Sequence, residues 1–577
     1  MKASVKWMQW YAQDSAALKS PVGELAQKIG AQLGAIEEIE YLGEKYQGII
    51  VAKIVSIADH PDADRLHVCM IDDGGVAKDV QRDEQGHVQV VCGAPNAREG
   101  ILVAWLPPKS TVPESVGKEP FVLEARELRG VMSNGMLASA RELALGTDHS
   151  GILEIDDPNA KPGDDFAKVY ELDDYIIDIE NKMFTHRPDL FGQLGVAREI
   201  SGIYSQPFKS PDWYQQNPQL PQAEGEALLF EVHNELPELV PRFTALVMRD
   251  VTIKPSPLWL QTYLLRVGVR PVSNVVDLTN YYMLLTGQPL HAYDYDKVKA
   301  LSGEKPMLVV RYPHQGEKIT LLNGKTVEPR AEAIMIATDK QSVGIGGVMG
   351  GGETEVDDQT KNIILECATF DMYSIRRTSM AHGLFTDAVT RFNKGQSPLQ
   401  NLAVLAKVAE DVAKYADGKA AGNIVDDNHV GDREWVHPSV PVSTSFVNER
   451  LGLKLSADEM KKLLENVEFS VAVEDENLTV TAPFWRTDIE LREDVIEEVG
   501  RLYGYDHLPL ELPMRVIEPT RKDPALEQKV SIREKLVKSG ANEILTYSFV
   551  HGNLLDKASQ DKSHAFQISN AISPDLQ

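Results

Sequence analysis

The apolar positions of the chain change period several times, and each change predicts a different kind of element. After Ser20 and Pro21, the residues Leu25, Ile29 and Leu33 recur every four positions, which predicts an amphipathic helix. The runs GIIVAKIVSI, HVCMID and VQVVCG that follow are rich in β-branched residues and predict strands. Strands with long connections are typical of a small antiparallel barrel.

Later segments alternate between strand-like and helix-like patterns. YIIDIE predicts a strand and GQLGVAREISGIY a helix, while the Pro- and Gln-rich SPDWYQQNPQLPQAEGE is typical of a linker. Residues 240–420 have an α/β pattern, and KITLLNGKTVEP predicts a hairpin that turns at its Asn-Gly pair. A compact unit follows from Val440, with a capping box at Ser456 and Glu459 and a last helix that ends near Tyr503. After a polar linker, a helix and the strand NEILTYSFV open a further domain.

Length and composition indicate several globular domains. A chain of 577 residues suggests about four domains, and the hydrophobic fraction of 43% is ordinary for globular proteins. No apolar stretch reaches the roughly 18 residues that a membrane-spanning helix needs, so we expect a cytosolic protein with no membrane partner. Cys69, Cys92 and Cys367 stand far apart in the sequence, which excludes a CxxC-type zinc site and predicts buried thiols.

The charge balance restricts how the chain can bind nucleic acid. It contains 59 Lys and Arg residues and 86 Asp and Glu residues, a formal net charge of −27 at pH 7. Such a chain does not adhere to polyanions non-specifically, because phosphate binding depends on positive potential. Any nucleic acid must therefore be held by local basic patches or with help from a partner.

Three motifs occupy the predicted barrel: HPDADRL, VCGAPNAREG and LRGVMSNGMLASARELAL. Each alone is typical of turns. Together they resemble the tRNA-binding oligonucleotide-barrel domain of several tRNA-associated proteins. A barrel that has lost RNA binding is the alternative. The resemblance implies candidate phosphate contacts at Arg65, Arg98, Arg126, Arg129 and Arg141.

A second set of motifs follows in order: RPDLFGQLGVAREI, VVDLTNYYMLLTGQPLHAYDYDKV, GIGGVMGGGETEV, ILECATFD and HGLFTDAVTRFNKG. Downstream of the barrel motifs, this succession resembles the bacterial phenylalanyl-tRNA synthetase β subunit along the whole chain. Members of that family continue through a catalytic-like module and an anticodon-binding domain, so we expect the chain to be truncated at its C-terminus.

The resemblance implies an editing site in the α/β region. A synthetase for phenylalanine must reject tyrosine, and an apolar pocket rejects an added hydroxyl by only about 100-fold. The family's editing residues correspond to His291, Glu366, Thr386, Ala388, Thr279, Asn280 and Gly350.

The resemblance also assigns roles to four of these residues. Glu366 would accept the phenolic proton of tyrosine, so that a phenylalanyl group leaves Glu366 buried and unpaired. Ala388 would leave room for the ring. His291 and Thr386 would orient the attacking water. From local sequence alone, a satisfied core histidine and a glutamate paired with an arginine remain the alternatives.

Asp494, Glu497 and Glu498 occupy positions i, i+3 and i+4 of one predicted helix, so their carboxylates share a face. A solvated acidic face partly neutralised by Arg501, four residues after Glu497, is one interpretation. The resemblance implies another, in which these three residues and Asp488 surround a magnesium ion, for which oxygen ligands are suitable.

We therefore interpret the chain as a multidomain α+β protein. The predicted parts are an N-terminal segment (1–38) that packs with a connector (157–235), a tRNA-binding OB-type barrel (39–156), a central α/β editing domain (236–425), a small winged-helix-like α+β domain (436–512) and the start of a class II synthetase-like domain (520–577).

The function implied is that of a β subunit in an α2β2 phenylalanyl-tRNA synthetase. It would bind tRNA(Phe), hydrolyse tyrosyl-tRNA(Phe) and support charging by an α subunit that binds ATP. No ATP motif is found in this chain, so we expect it not to aminoacylate alone. A non-editing tRNA-binding scaffold and a stand-alone editing hydrolase remain the alternatives.

Overall fold

The N-terminal segment and the strands after it follow the predicted order. A computed structural model describes residues 1–13, 15–303, 305–431, 439–512 and 514–576, and it divides the chain into two units, Met1–Pro509 and Leu510–Gln577. The helix predicted after Ser20 is confirmed, with Pro21 in the cap position. The first elements are β1 (Lys2–Ser4), α1 (Val5–Tyr11), α2 (Val22–Gln32) and β2 (Ile36–Tyr41).

Seven strands follow, and all of their pairings are antiparallel. Five of them pair in the order β5-β4-β3-β6-β9, while β7 and β8 form a separate hairpin. Cys69 and Cys92 are buried, as predicted, and they lie on neighbouring strands. The strands are β3 (Ile50–His60), β4 (Ala63–Asp72), β5 (Val88–Cys92), β6 (Leu102–Leu106), β7 (Ala125–Leu128), β8 (Val131–Asn134) and β9 (Met136–Leu137).

The polar insertion between β4 and β5 is held by an ion pair. Arg82 donates to both carboxylate oxygens of Asp73, at 2.6 and 2.9 Å, and Asp73 is fully buried. Arg82 also donates to the backbone carbonyls of Ala77 and Gly86. Because Asp73 cannot reach water, the arginine supplies the charge that its burial requires.

The chain then returns to the N-terminal segment through α3 (Phe166–Val169), β10 (Tyr175–Ile179) and α4 (Gln193–Ile203). Strand β10 lies between β1 and β2 in an antiparallel sheet. Every residue of α4 is buried, so this helix is a core element shared by its neighbours.

The central region contains two five-stranded sheets, built from residues 231–428. The first has the order β11-β14-β17-β18-β19, and the second has the order β13-β20-β12-β21 with β22 also paired to β12. Helix α10 packs on β12 and β20 of the second sheet. The predicted Asn-Gly hairpin is confirmed as β15 and β16, with Gly324 at φ +78°.

The elements of this region are β11 (Glu231–Asn234), β12 (Arg242–Arg249), α5 (Leu258–Arg266), α6 (Asn274–Thr286), β13 (His291–Asp294), α7 (Tyr295–Leu301), β14 (Met307–Arg311), β15 (Ile319–Thr320), β16 (Thr326–Val327), β17 (Met335–Ala337), β18 (Ser342–Ile345), β19 (Met349–Gly350), β20 (Ile363–Thr369), α8 (Met372–His382), α9 (Asp387–Phe392), α10 (Asn401–Ala416), β21 (Lys419–Ala420) and β22 (Val425–Asn428).

The small region after it is a three-stranded antiparallel sheet, in the order β23-β25-β24, covered by helices. The capping box of Ser456 and Glu459 is confirmed at the start of α12. The predicted start of this region at residue 436 lies outside the described residues. Its elements are β23 (Ser439–Ser443), α11 (Thr444–Leu451), α12 (Ala457–Glu465), β24 (Ser470–Glu474), β25 (Asn477–Thr481) and α13 (Arg492–Tyr503).

The second unit contains the predicted helix but not the predicted strand. Its helices are α14 (Pro524–Lys538) and α15 (Gly552–Lys557), and neither has a buried residue. The NEILTYSFV segment is not a strand, so that prediction was wrong. A strand needs a neighbour for its backbone hydrogen bonds, and none is present among the described residues of this unit. Among the described residues, no helix combines the length and the apolar character needed to cross a membrane.

A buried cluster of charges joins the segment around α4 to helix α13. Glu498 on α13 is 2% exposed and contacts three arginines: Arg501 at 2.8 Å, Arg486 at 3.2 Å and Arg187 at 3.4 Å. Burial alone would raise the pKa of Glu498, but these three guanidinium groups hold it well below the usual range. Glu498 is therefore ionised inside the protein, compensated on three sides.

The same cluster continues through the segment before α4. Arg187 also pairs with Asp189 at 2.8 Å and with Glu199 at 2.6 Å, and all three side chains are buried. Arg198, next to Glu199 on α4, pairs with Glu468 at 2.8 Å. Buried ion pairs need specific distances and angles, so they favour one orientation of the small region against α4.

We expect Glu498→Gln to destabilise the first unit by about 3–5 kcal/mol, because it leaves three buried arginines without their shared carboxylate. Glu497→Gln, at the neighbouring position with its side chain 54% exposed, is the matched control and should change stability by less than about 0.5 kcal/mol. Urea unfolding followed by circular dichroism measures both. Equal midpoints for the two variants would contradict the structural role of this cluster.

Candidate active site

Two paired strands bring the main candidate residues together. Strand β20 lies between β12 and β13, and all seven of its residues are buried. In the antiparallel register of β13 and β20, His291 is directly opposite Glu366. Side chains directly opposite across an antiparallel pair point to the same face of the sheet, so a carboxylate and an imidazole meet here.

Glu366 is a buried carboxyl group with one described hydrogen-bond partner. The phenol of Tyr293 donates to its Oε2 atom at 2.6 Å. The other oxygen, Oε1, makes no hydrogen bond to a described residue, and Glu366 is 6% exposed. Burial raises the pKa of Glu366 to about 7, and the hydrogen bond from Tyr293 acts in the opposite direction. Near neutral pH this carboxyl group is therefore poised between its two protonation states.

His291 is held as a neutral imidazole. Burial lowers its pKa to about 4, so the imidazole has no net charge at neutral pH. Its ring contacts Tyr293 edge-on, with the centroids 4.4 Å apart. Within the described residues, neither ring nitrogen has a hydrogen-bond partner, which leaves one lone pair free to accept a proton or a hydrogen bond.

These side chains line a cavity of about 70 Å3. That volume holds a few water molecules, since one water needs about 10–15 Å3 on this measure. Four predicted site residues line it: His291, Gly350, Glu366 and Ala388. Tyr293, Phe392 and the glycine-rich segment 344–350 complete much of the wall.

Gly350 allows the imidazole to lie against the backbone. A Cβ atom at this position would be 2.7 Å from both Cε1 and Nε2 of His291, which is closer than real Cβ contacts. Any larger residue here would therefore push the ring away from its present position. Gly352, two residues later, has only ordinary contacts, since its Cβ would be 3.8 Å from the nearest carbonyl oxygen.

Thr386 supports the cavity without lining it. Its hydroxyl donates to the carbonyl of Val348 at 2.9 Å and accepts from the amide of Val389 at 3.1 Å, which caps helix α9. The cap fixes the first turn of α9, where Ala388 faces the cavity. Because the hydroxyl proton is already donated to Val348, Thr386 retains only an acceptor lone pair for a water molecule.

The structure does not bring Thr279 and Asn280 to this cavity. Both lie on helix α6, and neither belongs to the cavity wall. The Thr279 hydroxyl donates to the carbonyl of Val276 at 2.7 Å, one turn earlier in the same helix.

The four acids predicted to hold magnesium do not form a metal site. Asp488 accepts two hydrogen bonds from Arg486, both at 2.7 Å. Asp494 accepts from the backbone amides of Glu490 and Leu491 and so caps helix α13. Glu497 is half-exposed.

The fourth acid, Glu498, is buried among three arginines, which repel a cation. No group of three or more His, Cys, Asp or Glu side chains within the described ranges is arranged to hold a metal ion. The alternative is a solvated acidic face partly neutralised by Arg501, four residues after Glu497. The structure differs, because Arg501 pairs with the buried Glu498 instead.

The arginines predicted to contact phosphate differ in how free they are. Arg98 forms a two-bond pair with Glu154, and Arg141 pairs with Glu114 at 3.1 Å. These two guanidinium groups are exposed but already compensated by a carboxylate.

Arg129 donates to the carbonyl of Asp62 at 3.2 Å. Arg65 and Arg126 are exposed and make no side-chain hydrogen bond or ion pair with a described residue. Of the five predicted residues, these two are the most available to a phosphate group.

Sequence reasoning missed Tyr293, although the signal was present. His291 and Tyr293 are two residues apart on a strand, so they share a face. A larger cavity of about 900 Å3 lies elsewhere, lined by aromatic residues that include Trp10, Trp259 and Tyr263. It contains none of the predicted site residues, so cavity size alone does not locate the candidate site.

Comparison with known families gives four matches along the chain. The family models are the tRNA binding domain (residues 49–165), the B3/4 domain (239–417), the tRNA synthetase B5 domain (440–505) and the phenylalanyl tRNA synthetase beta chain CLM domain (508–577). The cavity described above lies within the residues of the B3/4 match.

Curated relatives match over nearly the whole chain. The phenylalanine--tRNA ligase beta subunit of Moorella thermoacetica is 36% identical over 575 residues, which are 98% of this chain and 67% of the relative. The corresponding subunit of Desulfotalea psychrophila is 34% identical over 571 residues, which are 97% of this chain and 65% of the relative. The chain thus spans about two thirds of the length of these relatives.

A solved N-terminal fragment of the phenylalanyl-tRNA synthetase beta subunit from Pyrococcus horikoshii is 16% identical, with a TM-score of 0.30. It covers 61% of this chain, and 90% of that fragment is matched, but a TM-score this low carries no argument about the fold. The identities of 34% and 36% to the curated relatives, over almost the entire sequence, show common ancestry. The chain belongs to the family of phenylalanine--tRNA ligase beta subunits.

Proposed function

We propose that this chain works as the β subunit of a phenylalanine--tRNA ligase and hydrolyses tyrosyl-tRNA(Phe). In this proposal it assembles with an α subunit as α2β2 in the cytoplasm. The α subunit binds ATP and attaches phenylalanine to tRNA(Phe), while this chain binds the tRNA and removes tyrosine attached in error. Family membership supports the ligase role, and the cavity on β13 and β20 supports the hydrolysis.

The observation that carries the editing proposal is a buried carboxyl group with one oxygen still available. Glu366 lines the cavity, its Oε2 accepts from Tyr293, and its Oε1 has no described partner. A tyrosyl group entering the cavity can donate its phenolic proton to Oε1. A phenylalanyl group cannot, so it would desolvate Oε1 without replacing a hydrogen bond to water.

The structure changes one part of the expected selection. The family resemblance implies that a phenylalanyl group leaves Glu366 wholly unpaired, but in the structure the phenol of Tyr293 already donates to Oε2. The cost of binding phenylalanine therefore falls on a single oxygen atom. A lost hydrogen bond to a charged group costs about 1.5–3 kcal/mol, which gives about 10- to 100-fold selection for tyrosine.

Hydrolysis needs a positioned water molecule and a group that accepts its hydrogen bond. The neutral imidazole of His291 has a free lone pair and lies on the same face as Glu366. The water oxygen bonds to the ester carbonyl carbon, and the bond from that carbon to the ribose oxygen breaks. One water proton ends on the ribose oxygen, which yields free tyrosine and uncharged tRNA.

Two further features limit the mechanism. The cavity of about 70 Å3 is smaller than a tyrosyl group requires, so part of its wall must move outward when the substrate enters. The proposed hydrolysis does not rely on magnesium at the predicted acids, three of which (Asp488, Asp494 and Glu498) already contact arginines or backbone amides.

The tRNA is proposed to lie against the barrel region near Arg65 and Arg126, whose guanidinium groups have no described carboxylate partner. In a chain with a net charge of −27, such local contacts are what phosphate binding requires.

We expect Glu366→Gln to reduce hydrolysis of tyrosyl-tRNA(Phe) by about 10- to 100-fold, because the amide replaces a charged acceptor with a neutral one. The assay combines this chain with the matching α subunit and follows both phenylalanine charging and tyrosyl-tRNA(Phe) hydrolysis. Charging should stay unchanged. Unaltered hydrolysis in the variant would favour a non-editing scaffold, and full hydrolysis without the α subunit would favour a stand-alone enzyme.

The same variant has a predicted effect on stability that depends on pH. The pKa of Glu366 is raised to about 7 in the folded protein, so its contribution to stability is complete below about pH 4.5 and is lost as pH rises through 7. Relative to wild type, Glu366→Gln should therefore gain about 3 kcal/mol between pH 4.5 and pH 8. Urea unfolding at the two pH values measures this gain. A difference independent of pH would show that Glu366 is not buried as described.

We expect Gly350→Ala to displace the His291 ring and to slow tyrosyl-tRNA(Phe) hydrolysis by about 10- to 100-fold, since the added methyl group would lie 2.7 Å from the imidazole. Gly352→Ala is the control, because its Cβ has room. Equal rates for the two alanine variants would mean that His291 does not act from the position seen here.

A further inference from the structure

Tyr293 occupies the same cavity as the two residues assigned to editing. It is 2% exposed, its ring contacts His291 edge-on, and its phenol donates to Glu366 at 2.6 Å. Burial and the nearby Glu366 charge raise the pKa of Tyr293 well above its ordinary value, so the phenol remains a donor. The protein therefore places the same functional group on one oxygen of Glu366 that a tyrosyl substrate would place on the other.

We propose that Tyr293 is a specificity-determining positioning residue, whose phenol holds Glu366 through Oε2 so that Oε1 is presented to the hydroxyl of a tyrosyl substrate. This inference rests on the proposed hydrolysis of tyrosyl-tRNA(Phe). Tyr293 does not contact the reacting ester in this scheme. It acts through Glu366, by fixing the rotamer and the ionisation of the carboxyl group.

The surroundings of Glu366 leave Tyr293 as its only described donor. No described arginine, lysine or histidine forms an ion pair with Glu366. Its register partner on β12 is Ala245, and α9 contributes Ala388 and Phe392 to the cavity wall, so neither element brings a charge.

The titratable groups near Glu366 are few, which makes its ionisation easy to attribute. Of the residues that line the cavity, only His291 and Tyr293 titrate besides Glu366 itself. The adjacent Cys367 thiol is buried, and its pKa is raised well above the ordinary value by burial and by the Glu366 charge, so it stays neutral. Without the phenol, burial alone would act on Glu366, and the carboxyl group would take up a proton at higher pH than it does now.

The test is Tyr293→Phe in the full chain, combined with the matching α subunit. This change keeps the ring and its contact with His291 and removes only the hydroxyl. Tyrosyl-tRNA(Phe) hydrolysis is measured from pH 6 to 8.5, with the uncatalysed rate subtracted. We expect the rate at pH 7 to fall about 10-fold and to recover toward pH 8.5, because the acid limb of the profile moves to higher pH.

Tyr295→Phe is the matched control. Tyr295 is equally buried, and its hydroxyl donates to the backbone carbonyl of Leu229 at 2.9 Å, away from the cavity wall. It therefore reports the effect of losing a tyrosine hydroxyl that does not contact Glu366. Thermal unfolding of both variants confirms that they fold, and we expect the control to keep the wild-type pH profile.

The outcomes separate the two proposals. If wild-type protein with the α subunit fails to hydrolyse tyrosyl-tRNA(Phe), the proposed function fails and this inference falls with it. If Glu366→Gln lowers hydrolysis but Tyr293→Phe keeps the wild-type rate and profile, only the role of Tyr293 is overturned. A loss that is the same at every pH would assign the hydroxyl to packing, and a faster variant would show that it competes with the substrate. Both results overturn the inference.

Discussion

The candidate site depends on keeping a carboxyl group inside a sheet although burial opposes its charge. Strand β20 is central in its sheet, so Glu366 is buried and meets water only through the small cavity that it lines. The phenol of Tyr293 compensates one oxygen and leaves the other without a described partner. This arrangement is unfavourable for folding, because one buried oxygen lacks a hydrogen-bond donor. It is useful for recognition, because that oxygen discriminates between ligands that can and cannot donate a hydrogen bond to it. The glycine-rich wall and the capped start of α9 maintain the space in front of it.

Two buried glutamates of this chain show how surroundings decide what a carboxyl group does. Glu498 contacts three arginines, which keep it ionised and make it part of the joint between α4 and α13. Glu366 contacts a phenol, and its pKa rises to about 7. The first group is fixed in one state and contributes to architecture. The second is close to neutrality at physiological pH, which is the condition expected of a group that takes part in recognition or proton transfer.

The sequence was most informative where a local rule decides the structure. The helix after Ser20, the Asn-Gly hairpin and the capping box at Ser456 depend on neighbouring residues, and all three are confirmed. The resemblance also implied that His291 and Glu366 belong to one site, and the structure places them opposite each other on paired strands. Partners distant in sequence could not be inferred in this way. Arg187 and Glu498 are 311 residues apart, so helical spacing around Glu498 gave no sign that arginines rather than a metal ion surround it.

The insertion between β4 and β5 has a practical consequence for anyone who redesigns this protein. The fully buried Asp73 is compensated from within the insertion, by Arg82. Asp73 is the first residue of the insertion, so a shortened loop that keeps Asp73 but removes Arg82 would leave a buried carboxylate without its compensating charge. Asp73 and Arg82 must therefore be kept or replaced together. A chimera that takes only one of the two residues loses this ion pair, even when every strand of the recipient is intact.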